Sequence, residues 1–256
     1  MEVIEDLVAE QDRIEAMLAG LSEEQWLTES AAAGWTVADV VLHLAQSEEG
    51  VMATVAAGGS AASGATAGGS AAGGATAGLV AGGVDEAMDR LVQAERAAPD
   101  VVFERWRAAR RAAVEALRAA PADVQLTWVA MSLKPRTLAT TRLAEHWAHG
   151  LDVATPLGLP FPDTDRLRHV AWLGHATLPY AFALAGEAPR PVLVELTGPG
   201  GGTWRYGPPD AESAIRGDAG AFCRVGARRL AAAESGLTTT GPHAAAALRV
   251  LRNYAA

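Results

Sequence analysis

Apolar residues at Ile4, Leu7, Ile14 and Leu18, with charges between them, keep the three-and-four spacing of a one-faced helix over 3–19. Gly20 marks its end, and Ser22-Glu-Glu-Gln has the capping pattern of a short helical turn. Trp35-Thr-Val-Ala-Asp sets a cap residue, Thr36, ahead of an acidic third position, which predicts a helix running through His43 to about Val55. Asp39 is shorter than the usual Glu there, so the capping box is expected to be imperfect. Two further helices are predicted at about 85–97 and 100–119, the second packing through Val102, Phe103, Trp106, Val114 and Leu117 and ending at Pro121. Another runs from Thr137 to about Val153, stopped by Pro156 and Gly158, and one more from Asp165 to about Leu184. Beyond Pro191 the period changes. Val192–Leu196 and Thr203–Tyr206 read as strands around a glycine turn, and 211–216 as a third. Gly217-Asp218 opens a helix to about Ala233, and 242–254 gives a last one. The predicted class is mainly α with a small α+β part.

One segment breaks the pattern. Residues 58–67 read GGSAASGATA and 68–77 read GGSAAGGATA, a tandem duplication with one substitution. With no bulky side chain it has nothing from which to build a core, so 57–83 is expected to be a flexible insert. The expected organisation is a helical bundle over 1–157, a connecting helix over 158–190 and a small α+β domain over 191–256.

Composition narrows the function classes. The hydrophobic fraction is 50% but aromatics are 5%, which favours helices packed through small side chains. A net charge of −9 without a basic cluster weighs against a nucleic-acid partner. The single cysteine, Cys223, allows neither an intrachain disulfide nor a cysteine-based zinc site, and is expected to lie inert in the core. No run approaches the roughly 18–20 apolar residues of a membrane span, and the acidic start lacks the apolar core of a secretory signal. A cytoplasmic location is expected. No phosphate-binding glycine motif or nucleophile elbow occurs.

Chemistry concentrates on the 137–153 helix. With Glu145 at zero, His149 falls at about 40°, Arg142 at about 60° and Asp152 at about −20°, while Leu143, Trp147 and Leu151 lie on the far side. Glu145 and His149 are about 6 Å apart along the axis and can reach one ion. A solvated face with an ordinary Glu–His pair accounts for the same spacing. His43 lies mid-helix among apolar residues, where an imidazole needs a partner; a satisfied core histidine and a metal ligand are both open. Two helices offering inward imidazole and carboxylate groups is how bundles build metal sites, and three ligands leave a position for water or substrate. His146 competes for the same role, but sits about 100° from Glu145. His169 and His175 read as structural or surface residues, and His243 as a helix-start residue.

These residues occur in two recognisable stretches. Gly34-Trp-Thr-Val-Ala-Asp-Val-Val-Leu-His-Leu-Ala resembles the second helix of the DinB-like superfamily, in particular the metal-binding domain of mycothiol-dependent maleylpyruvate isomerases. Arg142-Leu-Ala-Glu-His-Trp-Ala-His-Gly-Leu-Asp-Val resembles the last bundle helix of that family, and the likeness spans roughly 3–157. The C-terminal part looks like the small SCP2-like α+β domain attached to actinobacterial members. The resemblance implies a DinB-like four-helix bundle with a long crossover, in which the glycine-rich insert falls. It implies zinc held by His43, Glu145 and His149, although two histidines and a carboxylate also suit Ni2+ or Fe2+.

The activity so implied brings a low-molecular-weight thiol, mycothiol, to the metal, and the thiolate adds to a small electrophilic metabolite in an isomerisation or S-transfer. Arg142 is a candidate to hold a substrate carboxylate, or to form a salt bridge to Glu145 or Asp152. A thiol-independent metal-dependent hydrolase or lyase is an alternative. So is a non-catalytic carrier in which the C-terminal domain holds an apolar ligand. The expected partner is a small molecule; the oligomeric state and the substrate are not legible.

Overall fold

The computed structural model describes residues 2–62, 83–129 and 131–253. They form two compact units that divide between Phe161 and Pro162.

In the first unit, α1 (Glu2–Leu18) is followed by the short α2 (Glu23–Leu27), whose Ser22 closes the predicted capping box with Gln25. α3 (Val37–Ala62) comes next, then α4 (Val84–Ala94) and α5 (Pro99–Ala119). A two-stranded hairpin of β1 (Leu126–Trp128) and β2 (Met131–Leu133) leads into α6 (Pro135–Ala154), with Pro135 in its first turn. α3 packs along α5 and α6, and α1 packs against α6 and α5, so four long helices enclose one core. Leu7, Ile14, Leu44, Trp106, Leu138 and Trp147 are among its fully buried side chains. Burial of each contributes on the order of 1.5–3 kcal/mol, more for the indoles.

The start of α3 is fixed more firmly than the sequence predicts. Thr36 Oγ1 accepts from the Asp39 amide at 3.2 Å and Asp39 Oδ2 accepts from the Thr36 amide at 2.9 Å, so the shorter acid closes the box in full. Arg96 grips the same carboxylate through Nε and Nη2 at 2.8 and 2.9 Å. The other end of α3 also departs from expectation. Residues 57–62, assigned above to the flexible insert, continue the helix; 63–82 lie outside the described residues. The hairpin is the reason: Thr54 Oγ1 donates to the Thr127 carbonyl at 3.2 Å, and a Cβ on Gly58 would stand 2.8 Å from Leu126 Cδ2. Tertiary packing thus overrides the poor helix propensity of glycine.

The second unit holds α7 (Leu167–Ala176) and α8 (Leu178–Leu184), then β3 (Val192–Thr197), β4 (Thr203–Tyr206) and β5 (Ser213–Asp218). α9 (Ala219–Gly226), β6 (Thr238–Thr240) and α10 (Ala244–Val250) complete it. The strand order is β4-β3-β5-β6, with β3 and β5 parallel and the outer pairs antiparallel. The single helix expected over 165–184 is two. Pro179 has no amide to donate, and the Thr177 hydroxyl reaches the Leu173 and Arg252 carbonyls at 2.9 and 2.6 Å, so the chain breaks at Thr177. The helix expected to run to Ala233 stops at Gly226, where Asn253 packs so closely that a Cβ would sit 2.2 Å from its Oδ1. Arg228 then adopts φ 62°, which turns the chain out of the helix. Likewise the last helix covers Ala244–Val250 rather than 242–254. Among the described residues, no helix is long and apolar enough to cross a membrane.

Candidate metal centre

α3 and α6 run side by side in the first unit and bring His43 against Glu145 and His149. One ligand atom from each lies within 4.8 Å of the other two. His43 Nε2 is 3.7 Å and His149 Nε2 3.5 Å from the same oxygen, Glu145 Oε2. Donor atoms at about 2.0–2.2 Å from a tetrahedral zinc ion stand about 3.4 Å from one another, so these three fit around one ion. Both histidines are 9% exposed, and the Glu145 side chain, 29% exposed, forms the open edge.

The orientation of His149 is set from behind. Its Nδ1 lies 2.9 Å from Asp152 Oδ2, one turn on along α6. An Nδ1–H donated to that carboxylate leaves the Nε2 lone pair facing Glu145, the tautomer a metal ligand requires. Trp35 walls the site, with its ring centroid 5.1 Å from that of His43 and 6.3 Å from that of His149. Its indole N–H donates to Asp89 Oδ1 on α4 at 2.8 Å, which holds the ring in place. His43 Nδ1 is buried with no hydrogen-bond partner.

The electrostatics follow from this packing. Burial pushes the Glu145 carboxyl up, but the adjoining His149 and His43 imidazoles and the Arg142 charge outweigh it, and Glu145 stays ionised well below the usual range. Burial lowers His43, which therefore stays neutral more readily than a free imidazole. His149 is also desolvated, yet Asp152 and Glu145 reverse the direction and raise it. Two imidazoles and an ionised carboxylate meeting on one point suit a divalent cation.

The other residues of the helix have different roles. The face carrying Arg142, His149 and Asp152 is not a solvated one: all three are buried, as are Leu143 and Trp147 opposite, so α6 is covered nearly all round. His146 is fully buried outside the cluster. Trp106 Nε1–H donates to His146 Nε2 at 3.3 Å, and His146 Nδ1 lies 2.9 Å from the Arg142 carbonyl, so both nitrogens are occupied within the core. Burial and the Arg142 charge hold its pKa down to about 3. Arg142 itself is 2% exposed and its Nε donates to Glu48 Oε1 at 2.9 Å. The salt bridge expected to Glu145 or Asp152 is therefore made to Glu48 instead, because α3 presents that carboxylate at the same depth. Glu48 was not legible as a site neighbour; its one signal is an acid in the apolar α3, and the exposed-looking pair Glu48-Glu49 hides which of the two turns inward.

In the second unit the remaining candidates are structural. His175 Nε2 lies 3.2 Å from the Val192 carbonyl and its ring stacks on Tyr206. Burial pushes the Cys223 thiol well up, leaving it an inert core residue. His243 precedes α10, and its backbone amide donates to Ser213 Oγ at 3.0 Å. His169 is half-buried in α7.

Comparison with known proteins accords with this architecture. Two crystal structures are similar over 94% of this chain and 95% of theirs, both at 14% identity. They are a mycothiol-dependent maleylpyruvate isomerase, with a TM-score of 0.60, and a histidine-to-alanine variant of that enzyme, with 0.62. At that identity the likeness is one of fold. Uncharacterised proteins from two strains of Mycobacterium tuberculosis, CDC 1551 and H37Rv, are each 35% identical over 254 residues, 98% of this chain and 95% of theirs. The family model of the mycothiol maleylpyruvate isomerase N-terminal domain matches residues 7–154, a stretch that contains His43, Glu145 and His149. The chain belongs to that family.

Proposed function

We propose that the chain is a metal-dependent enzyme of the maleylpyruvate isomerase type, using zinc at His43, Glu145 and His149 and a low-molecular-weight thiol such as mycothiol. It would act on a small electrophilic metabolite by isomerisation or S-transfer. The observation that carries this reading is the convergence of three lone-pair donors from two helices, one of them held in the ligating tautomer by Asp152. A divalent ion bound there would lower the pKa of a coordinating thiol and supply a thiolate near neutral pH. The protein's own part is to hold the donors in register. Asp152 orients His149, the surrounding charges keep Glu145 ionised, and Trp35 closes one side against water. The exposed edge at Glu145 is where a thiol or substrate would approach.

Isothermal calorimetry of mycothiol into the zinc-loaded protein tests the thiol part. Saturable heat is expected with the loaded protein and none with the Glu145→Ala variant. A zinc-loaded protein that gives no heat contradicts the use of this thiol while leaving the metal site standing.

A further inference from the structure

Behind the candidate ligands lies a second buried polar unit that the proposed chemistry does not use. Arg142, 2% exposed, sits one turn before Glu145 on α6 and pairs with Glu48, 0% exposed, on α3. A buried ion pair is weak evidence of a stability role, because hydrophobic residues of similar volume often serve as well or better. This pair is also incompletely satisfied: Arg142 Nη2 and Glu48 Oε2 are buried and have no hydrogen-bond partner. Two orphaned charged atoms are costly in a helix core, and their position is informative. The guanidinium is always charged, and its field reaches both Glu145 and His43. A fixed cation at that place opposes binding of a second cation; burial pushes the Glu48 carboxyl up and the Arg142 contact works against that shift, so the carboxylate the pair retains offsets the guanidinium. The neutral His146 ring packs beside the pair, its Nδ1 3.6 Å from Glu48 Oε1 and bonded to the Arg142 carbonyl.

We propose that Glu48 is a positioning residue that holds and screens Arg142, so that the guanidinium does not repel a divalent ion at His43, Glu145 and His149. The inference rests on the metal-site reading above. It makes the buried pair a control on metal affinity: the charge of Glu48 favours the ion, and that of Arg142 moderates it.

Zinc affinity measured by competition with a chromophoric chelator tests this, in the full-length wild type and in Glu48→Gln, Arg142→Gln and the double variant. Glu48→Gln is expected to weaken zinc binding about tenfold, as a uniform loss of one nearby negative charge requires. Arg142→Gln should bind more tightly than wild type, equal or weaker binding counting against the proposal, and the double variant should return to within about threefold of wild type. The visible spectrum of the cobalt-substituted protein should not change in Glu48→Gln, since the ligand geometry is retained. If both single variants weaken binding and the double does not recover, or if the cobalt spectrum shifts, the pair is structural and the proposal is overturned. If wild type binds zinc and Glu48→Gln binds it equally well, the proposal falls alone. A wild type that takes up no zinc overturns the ligand set and this proposal with it. Should Glu48→Gln fail to fold, Arg142→Lys against Arg142→Gln decides: Gln binding no better than Lys overturns the screening role, and Gln binding more tightly supports it.

Discussion

Three positions on a helix rotate a side chain by about 60°, and on α6 that rotation separates two kinds of histidine. His146 turns into the core, where Trp106 and the Arg142 carbonyl occupy its nitrogens; His149 turns towards His43 with its Nε2 3.5 Å from Glu145 Oε2. The two should therefore fail differently. His149→Ala is expected to lose the metal and keep the fold, whereas His146→Gln keeps the metal but loses about 2–3 kcal/mol of stability through unsatisfied core partners. Metal analysis combined with chemical denaturation separates them. Asp152→Asn should weaken metal affinity about 10- to 100-fold, because an amide cannot favour the Nδ1–H tautomer as a carboxylate does. At this scale the ligand candidates were legible, because Glu145 and His149 share a helix and their spacing fixes their common face. Glu48 was not, since its relation to Arg142 exists only once α3 lies on α6.

At the scale of elements, the entry to α3 combines a cap with an ion pair. Asp39 is desolvated, but the Arg96 and Thr36 hydrogen bonds prevail and lower its pKa from 3.8. A carboxyl depressed on folding stabilises the native state above its unfolded pKa, and that contribution is lost as pH falls through the folded value. Asp39→Asn should thus cost about 1 kcal/mol at pH 7, and the gap to wild type should close as pH drops below about 3.8. Urea denaturation across that range measures it. Next to His149 on α6, Gly150 lets Phe161 lie against the helix: a Cβ there would stand 2.3 Å from the ring, and the Arg13 guanidinium covers the ring at 3.6 Å. Gly150→Ala is expected to lose about 1–3 kcal/mol by overpacking, visible as a lower Tm. α1 was readable because its seventeen residues carry a clear period, and α6 because Pro135 and the Pro156–Gly158 stretch bound it. The hairpin was not, because strands of three residues show no alternation. The overrun of α9 has a different cause: an alanine- and arginine-rich sequence favours continuing the helix, and the packing of Asn253 on Gly226 and the positive φ of Arg228 end it.

For the whole molecule, a metal held between α3 and α6 ties together residues about a hundred positions apart in sequence. Zinc at 100 times its Kd should stabilise the first unit by about 2.7 kcal/mol through mass action alone. Hydrogen exchange should then show added protection in α3 and α6 and none in β3 to β6, which lie in the other unit. Uniform protection, or none, would speak against a site confined to the bundle. The mainly helical class with a terminal α+β part was legible from the change of period near residue 191, where helical spacing gives way to strands. The most direct test of the central claim is elemental analysis of protein purified without an affinity tag, compared with the Glu145→Ala variant prepared in the same way. About one divalent ion per chain is expected in the wild type and less than about a tenth of that in the variant. Equal, stoichiometric metal in both proteins would contradict the assignment of His43, Glu145 and His149.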